Sequence, residues 1–452
     1  MSLPHQFKNE TKTPLSRFSW KSIKGAEELQ KRLVFTLLVL VIYRFGTFIQ
    51  VPGLNPQVLA EYVSKSGGGF LAMFDTFSGG SIGRATIMAL SLAPYITSSI
   101  LMQLISAAVP SLKALGREGE TGQQKKNQYV RYITLGLVIT QALGIAAFLE
   151  TVTSPLGAPA VLVPGFLFKF TTLISIVGGT FFLMWLAEQI TARGLGQGSS
   201  MIIYAGIVAN LPSTISHIKR MHNTGQVSSG LIWFDACMLL VLLLIVVFIE
   251  RSYRRVQVQY PKGQMHMING MKIPDEMPVK LNVVGVMAPI FASTMISFIM
   301  IIARMLPKAD VIVAYISKNG VYFSIFSVLI VFFVFAFSPV LLNPEETAES
   351  LRKNNGFIPG YRPGAQTAAF FQHLLTRLAF IGAAYLLIVC VLPDMFIKKD
   401  GLNVYFGGTS LLIIVGVAYE LVSQISGFLL SLQYEDMFKR MKHSARLRGF
   451  RN

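Results

Sequence analysis

Ten long apolar segments recur along the chain, and they restrict it to the class of helical membrane proteins. A helix needs about 20 mostly apolar residues to cross a bilayer, because the hydrocarbon offers its backbone no hydrogen-bond partner. With 52% hydrophobic and 14% charged residues, the chain is too apolar for an ordinary soluble core. We predict an all-α, polytopic membrane protein. Its ten transmembrane helices are predicted at residues 31–51, 82–108, 129–149, 166–190, 199–216, 231–250, 283–304, 320–342, 374–393 and 407–430.

The basic residues follow this predicted topology. A net charge of +18 at pH 7 would suit a nucleic-acid-binding protein if it were concentrated on one soluble surface. Instead, the lysines and arginines concentrate in every second loop and in the two tails. The positive-inside rule places that side in the cytoplasm, so both termini are predicted to be cytoplasmic and the number of crossings to be even.

The sequence contains no motif of a catalytic or metal-binding site. It lacks a GxxxxGK[ST] phosphate loop, an HExxH motif and any paired Cys/His spacing. Cys237 and Cys390 both lie in predicted helices, where a structural disulfide is not expected. The GLGQG run at 194–198 follows a membrane helix rather than a strand, which favours a tight turn over a nucleotide site. We therefore expect no enzyme activity, no cofactor and no metal.

The segment between the first two predicted helices, GGGFLAMFDTFSGGSIGR, is unusual for a loop. It is too short and too rich in glycine to span, yet too apolar to lie in water. Non-helical backbone at membrane depth is tolerated only against protein or beside a water-filled cavity. A re-entrant half-helix at about 70–78 is therefore predicted, with an interfacial amphipathic turn as the alternative.

Two loops on the basic side are long enough to be functional, namely 251–282 and 343–373. The first alternates apolar and polar residues in RRVQVQY, which predicts a protruding β-hairpin. The second begins NPEETAESL, where Asn343 can cap a short helix with Pro344 in its first turn. Both loops carry basic residues at their tips.

Glu420 is the best candidate for a carboxylate at membrane depth. It lies near the middle of the tenth predicted helix, with Gln424 one turn away on the same face. An ionised group at that depth is costly and usually functional, as in a secondary transporter for a small solute. A packing carboxyl group that bonds a neighbouring helix is the simpler interpretation.

Five longer segments closely resemble the SecY family of bacterial protein-translocation channels. They are FSGGSIGRATIMALSLAPYITSSILMQL (77–104), GLGQGSSMIIYAGIVANLP (194–212), MAPIFAST (287–294), NPEETAESLRKNNGFIPGYRPGAQTA (343–368) and YFGGTSLLI (405–413). The resemblance implies a clamshell of two five-helix halves around an hourglass pore that a plug closes. The halves would be 31–216 and 217–430, between cytoplasmic tails at 1–30 and 431–452.

The resemblance also implies what the protein does and with which partners. Unfolded preproteins bearing signal sequences would cross the bacterial cytoplasmic (inner) membrane through it, and apolar segments would leave sideways into membrane lipid. The implied partners are the motor ATPase SecA, the ribosome, and the small membrane subunits SecE and SecG. No residue pattern in the chain identifies these partners by itself.

Four groups of site residues follow from the resemblance. The pore ring would consist of Leu92, Ile96, Ser199, Ile203, Ile290 and Ile413, with Ser199 departing from the usual branched aliphatic residue. The plug would include Phe70, Leu71, Met73, Phe74, Phe77 and Gly79. A lateral gate would be held shut by Thr97 and Gln141. Docking of the ribosome and SecA would involve Arg254, Arg255, Lys262, Arg352, Lys353 and Arg362, and for Lys262 simple positive-inside topology is an equally good explanation.

Overall fold

Long helices make up most of the computed structural model. The structure describes residues 27–55, 58, 79–81, 83–115, 119–152, 159–225, 228–259, 276–304, 319–399 and 407–449. Its helices are α1 (Glu27–Gly46), α2 (Ala93–Ala108), α3 (Pro110–Leu115), α4 (Glu120–Thr151), α5 (Phe166–Arg193), α6 (Gly198–Asn223), α7 (Ser229–Glu250), α8 (Met287–Arg304), α9 (Asn319–Leu341), α10 (Pro344–Lys353), α11 (Ala365–Lys399) and α12 (Gly408–Gly449). All of them except the short helices α3 and α10 overlap one of the ten predicted spans.

Seven of the described helices are long and apolar enough to cross a membrane, namely α4, α5, α6, α7, α9, α11 and α12. Helix α1 is charged in its first and last turns, and α2 and α8 have only 16 and 18 residues. Helix α7 exposes Leu240, Leu244 and Phe248 on its outer faces. Because lipid rather than water tolerates such a surface, the chain is a multi-pass membrane protein.

The helices pack in two groups of five. Helices α1, α2, α4, α5 and α6 contact one another, and so do α7, α8, α9, α11 and α12. The groups meet in two places, where α6 packs against α12 and where α8 packs against α2 and α4. Helix α9 also contacts α2. The two halves implied by the resemblance, 31–216 and 217–430, stay a prediction.

The predicted second span is wrong in its first third. Helix α2 begins only at Ala93, and the residues described before it, from 83 to 92, form turns. Pro94 lies in the first turn of α2, where proline is tolerated, whereas in a helix interior it would remove a hydrogen bond. The preceding segment pairs instead with the end of the first span, since the N–H of Ile87 donates to the carbonyl of Ile49 over 3.0 Å.

The described parts of the two long loops form one small layer. Strand β1 (Tyr253–Gln257) pairs antiparallel with β2 (Glu276–Lys280), which confirms the predicted hairpin. Asn343 caps α10 by accepting a hydrogen bond from the N–H of Glu345 over 3.2 Å, as predicted. A shared apolar core holds these parts together. It contains Val256, Val258, Val279, Leu351, Ile358, Phe371 and Leu378.

Candidate functional site

The five aliphatic residues predicted for the pore ring lie in one hydrophobic cluster, here called the waist cluster. Leu92, Ile203 and Ile413 are buried members with exposures of 0%, 5% and 1%, and Ile96 and Ile290 pack against them. These residues come from both groups of helices, on α6, α8, α12 and the start of α2. An aliphatic constriction offers ions and water no hydrogen-bond partner, so it tends to exclude both.

Ser199 is the polar exception among the predicted ring residues. It lies one helical turn before Ile203 near the start of α6, so the two side chains project from the same face. Its side chain is half-buried. The hydroxyl group therefore places a hydrogen-bonding atom next to an otherwise aliphatic set.

The GLGQG run forms the tight turn between α5 and α6 that the sequence predicts. The N–H of Leu195 donates to Oγ1 of Thr36 on α1 over 3.0 Å. The N–H of Gly196 donates to Oε1 of Gln424 on α12 over 2.8 Å. The turn is thus fixed from both groups of helices, and it holds the start of α6 in place.

Gly198 allows α6 to begin directly against α5. A β-carbon at this position would collide with the backbone carbonyl of Ala187, which cannot move out of the way as a flexible side chain could. The N–H of Gly198 also donates to Oγ1 of Thr191 on α5 over 2.9 Å. Close backbone contact therefore determines how far α6, with Ile203, reaches into the waist cluster.

Gly79 is the one predicted plug residue among the described residues, and Phe70, Leu71, Met73, Phe74 and Phe77 lie outside them. Gly79 is buried and has a φ of +70°, a conformation that L side chains rarely adopt. A β-carbon there would come within 3.1 Å of Cα of Gly206 on α6. The end of the segment assigned to the plug, at Gly79, is thus in direct contact with α6, the helix that carries Ile203.

Two arginines that sequence reasoning left without a role lie here, Arg44 beside Gly79 and Arg84 beside Gly80. Nη1 of Arg44 donates to the carbonyl of Gly79 over 2.9 Å. The guanidinium groups of Arg44 and Arg84 also lie 5.0 and 4.6 Å from the ring centroid of Phe48, as cation–π contacts. The signal in the sequence was that both cations lie in or beside helices, away from the basic loops.

The predicted lateral-gate residues lie on helices that pack together. Thr97 is on α2, and its hydroxyl donates to the carbonyl of Ala93 within the same helix over 2.9 Å. Gln141 is on α4 and is 5% exposed. Helix α8 packs against both α2 and α4, and Ile100 of α2 belongs to the apolar core of α8 and α9.

The predicted docking residues within the described chain lie on the layer formed by the two loops. Arg254 and Arg255 are exposed on β1, Arg352 and Lys353 are exposed at the end of α10, and Arg362 is exposed just before α11. Lys262 lies outside the described residues. The other five are therefore all exposed on the loop layer.

Salt bridges and turn contacts fix part of this surface. Arg255 pairs with Glu276 on β2 over 3.3 Å, and Lys353 pairs with Glu349 over 3.2 Å. The N–H of Arg362 donates to Oε1 of Gln366 over 3.2 Å. Because both salt bridges are exposed, they are weak and leave the basic groups able to change partner.

Two contacts connect this layer to the membrane helices, and sequence reasoning missed both. Nδ2 of Asn282 donates to Oε1 of the buried Glu250 over 3.0 Å, and Oδ1 of Asn282 accepts from the N–H of Gly285, just before α8. The hydroxyl groups of Tyr253 and Tyr419 lie 3.0 Å apart. Burial, with this hydrogen bond, raises the pKa of Tyr253 to about 12, so its phenol stays neutral at physiological pH.

Glu420, the candidate carboxylate of a transporter, is half-buried on α12. Its neighbour Gln424 accepts the hydrogen bond from the GLGQG turn. Among the described residues, no group of three His, Cys, Asp or Glu side chains is placed to hold a metal ion. Cys390 is buried and Cys237 is exposed, and both are free thiols.

These features define a class of protein. Two groups of five helices meet at an aliphatic cluster, and a basic loop layer lies at one end of the helices. This architecture is that of a helical membrane channel.

Comparison with known proteins identifies the family within that class. The family model SecY matches residues 86–422, which is more than half of the chain. The protein translocase subunit SecY of Rickettsia conorii is 42% identical over 431 residues, covering 93% of this chain and 98% of the relative. The SecY subunit of Escherichia coli K12 is 39% identical over 435 residues, covering 94% and 96%. The chain belongs to the SecY family.

Solved structures agree with this assignment at the level of the fold. A structure of a protein-conducting channel matches with a TM-score of 0.59 at 18% identity, covering 89% of this chain and 92% of that one. Sec61 in the canine ribosome-channel complex from the endoplasmic reticulum matches with a TM-score of 0.57 at the same identity and coverage. At this identity the likeness establishes the helical architecture alone.

Proposed function

We propose that this chain conducts unfolded polypeptides across the membrane and releases apolar segments into the bilayer. The observation that carries the proposal is the waist cluster, in which Leu92, Ile96, Ile203, Ile290 and Ile413 come together between the two groups of helices. Aliphatic side chains can fit around a passing chain of any sequence, while an empty constriction excludes ions. The two groups, 31–216 and 217–430, then act as the halves of the channel.

The closed state is proposed to depend on a plug and a lateral gate. The plug is the segment at about 70–79, which ends at Gly79 against α6. The gate lies between α2 and α4 on one side and α8 and α9 on the other, near Thr97 and Gln141. Polar contacts between helices in membranes contribute only about 0.6 kcal/mol each on average, so an inserting signal sequence can displace them.

Deletion of residues 70–79 tests the plug. We expect increased ion conductance across a bilayer that contains the purified channel, with preprotein export largely retained, because the waist cluster remains. Unchanged conductance would exclude a sealing role for this segment.

We further propose that the loop layer docks the ribosome and the motor ATPase SecA, and that SecE and SecG bind alongside. The chain carries no chemistry of its own in this proposal, so these partners provide the energy. Its membrane is the bacterial cytoplasmic membrane, with both termini in the cytoplasm. Exposed basic residues suit both RNA phosphates and acidic protein surfaces.

The substitution Arg362→Glu tests the docking surface. We expect motor-driven export to fall while membrane insertion and folding are retained, because the side chain is exposed. Arg220→Glu is a matched control, since Arg220 is equally exposed but lies at the end of α6, on the side opposite to the loop layer in the predicted topology. Normal export with Arg362→Glu would refute the docking role.

A secondary transporter for a small solute is the second candidate, and it depends on Glu420. A proton-coupled carrier should lose transport when Glu420→Gln removes the titrating group. A polypeptide channel should instead continue to export preproteins with this substitution. Loss of solute transport in Glu420→Gln, with the fold intact and no export of preproteins by the unmodified protein, would favour the carrier.

A further inference from the structure

A groove opens in the loop layer between β1 and the start of α11. Its volume is about 930 Å³, and one wall is formed by β1 from Arg254 to Gln257. The opposite wall is formed by the turn at 358–361 and the first turns of α11. This volume is large enough for several residues of a bound peptide.

The outer backbone edge of β1 faces this groove. The N–H of Leu281 donates to the carbonyl of Ser252, so hydrogen bonds to β2 are made by the even-numbered residues of β1. Opposite Arg255 lies Pro278, which has no N–H to offer. The N–H and carbonyl groups of Arg255 and Gln257 therefore point away from β2, toward the groove.

The chain itself begins to cover this edge and then leaves it. Gln259, whose backbone points the same way as that of Gln257, exchanges two hydrogen bonds with Phe357, of 2.8 and 3.0 Å. Pairing cannot continue along β1, because Pro359 lacks an N–H and Gly360 turns the chain with a φ of +89°. In the part of the chain that the structure describes, the outer edge at Arg255 and Gln257 has no backbone partner.

The walls of the groove combine positive charge with apolar surface. Arg254, Arg255 and Arg377 line it, and no acidic side chain is among its described lining residues. Ile358 and Phe370 contribute apolar surface that is continuous with the core of the loop layer. An extended chain with acidic and apolar side chains in alternation would match both properties.

We propose that this groove binds an extended, acidic segment of a cytoplasmic partner protein, which adds to β1 as a further strand. Backbone hydrogen bonds to Arg255 and Gln257 would provide affinity, and the arginines would select acidic side chains. RNA is the weaker fit, because a nucleic acid has no backbone that can continue a β-sheet. The proposal rests on the docking role proposed above for the loop layer.

The probe is a fluorescent peptide of about seven residues that alternates valine and glutamate, long enough to cover the edge of β1. It is titrated onto the full-length protein in lipid nanodiscs. Gln257→Pro removes the outward N–H and leaves the bonds to β2, whereas Gln257→Ala removes the same side chain and keeps the N–H. We expect Gln257→Pro to weaken peptide binding about tenfold and Gln257→Ala to change it less than about twofold.

Three further measurements keep the proposal testable. N-methylation of the peptide at the pairing positions should weaken its binding to the unmodified protein as much as Gln257→Pro does. This test needs no protein variant, so it remains valid if Gln257→Pro does not fold. A peptide that alternates valine with lysine instead of glutamate should bind much more weakly. The substitution Glu276→Gln removes the salt bridge to Arg255, so it should strengthen binding of the acidic peptide. Equal binding to Gln257→Pro and Gln257→Ala, or binding of an RNA hairpin but not of the acidic peptide, would overturn the proposal.

Export assays on the same variants separate this inference from the proposed function. Failure of the peptide to bind, with normal partner-driven export, would refute strand addition alone. Absence of any export by the unmodified protein, even with peptide binding, would refute the channel itself.

Discussion

Shortening Ile413 in the waist cluster should make the closed channel leak ions. Ile413 is 1% exposed and packs with Leu92 and Ile203, so its whole side chain is buried in the closed state proposed here. If opening wets the constriction, this burial is lost in the open state. Each carbon atom removed should therefore shift the equilibrium from closed to open.

The size of the shift follows from the number of carbon atoms. Ile413→Ala removes three, which at about 0.8 kcal/mol each amounts to about 2.4 kcal/mol. At about 1.4 kcal/mol for each factor of ten, the open fraction should rise by up to about fiftyfold. Ile413→Val removes one carbon atom, so its increase should be only about fourfold.

The assay is ion conductance of a planar bilayer that contains equal amounts of each purified protein. Ile388→Ala is the matched control, because it removes the same atoms from a side chain that is 52% exposed on α11. We expect conductance to be highest for Ile413→Ala and lower for Ile413→Val. It should be lowest, and about equal, for Ile388→Ala and the unmodified protein. Equal conductance of Ile413→Ala and Ile388→Ala, with both proteins folded, would refute the role of the waist cluster.

Three other substitutions should alter stability by known mechanisms. Thr36→Val leaves the buried N–H of Leu195 without its acceptor, so it should lower the free energy of unfolding by about 1–3 kcal/mol. Thr36→Ser keeps the hydroxyl group and should be nearly neutral, and thermal unfolding measures both variants. Asn343→Ala removes the cap of α10 and should cost about 1 kcal/mol, seen as faster amide hydrogen exchange in that helix. Gly198→Ala should destabilise by about 1–3 kcal/mol through its backbone clash, whereas Gly136→Ala, where a β-carbon meets nothing, should stabilise in the same assay.

The sequence predicted best those features that depend on local hydrogen bonding. Each helix in lipid must satisfy its own backbone, so the apolar runs alone located ten helices, five of them to within five residues at both ends. The hairpin at β1 and the cap at Asn343 were predicted for the same reason, because strand alternation and capping involve neighbouring residues. The exception is 83–92, where an apolar composition could not distinguish a helix from turns that pair with Ile49.

The predicted site residues depended on a resemblance rather than on a local pattern. Leucine and isoleucine are common throughout these helices, so nothing in composition separated Ile413 from Ile388. Burial does separate them, because Ile413 is 1% exposed and Ile388 is 52% exposed. Arg44, likewise, had no assigned role until its contact with Gly79 was visible.

The sequence by itself thus determined the class of protein, its ten helices and which of its loops are basic, because hydropathy and charge act residue by residue. Only the tertiary structure decided which side chains meet. The turn that holds α6 is bonded to residues 159 and 228 positions away, at Thr36 and Gln424. Such contacts are set by the packing of distant helices, which no local pattern of residues encodes.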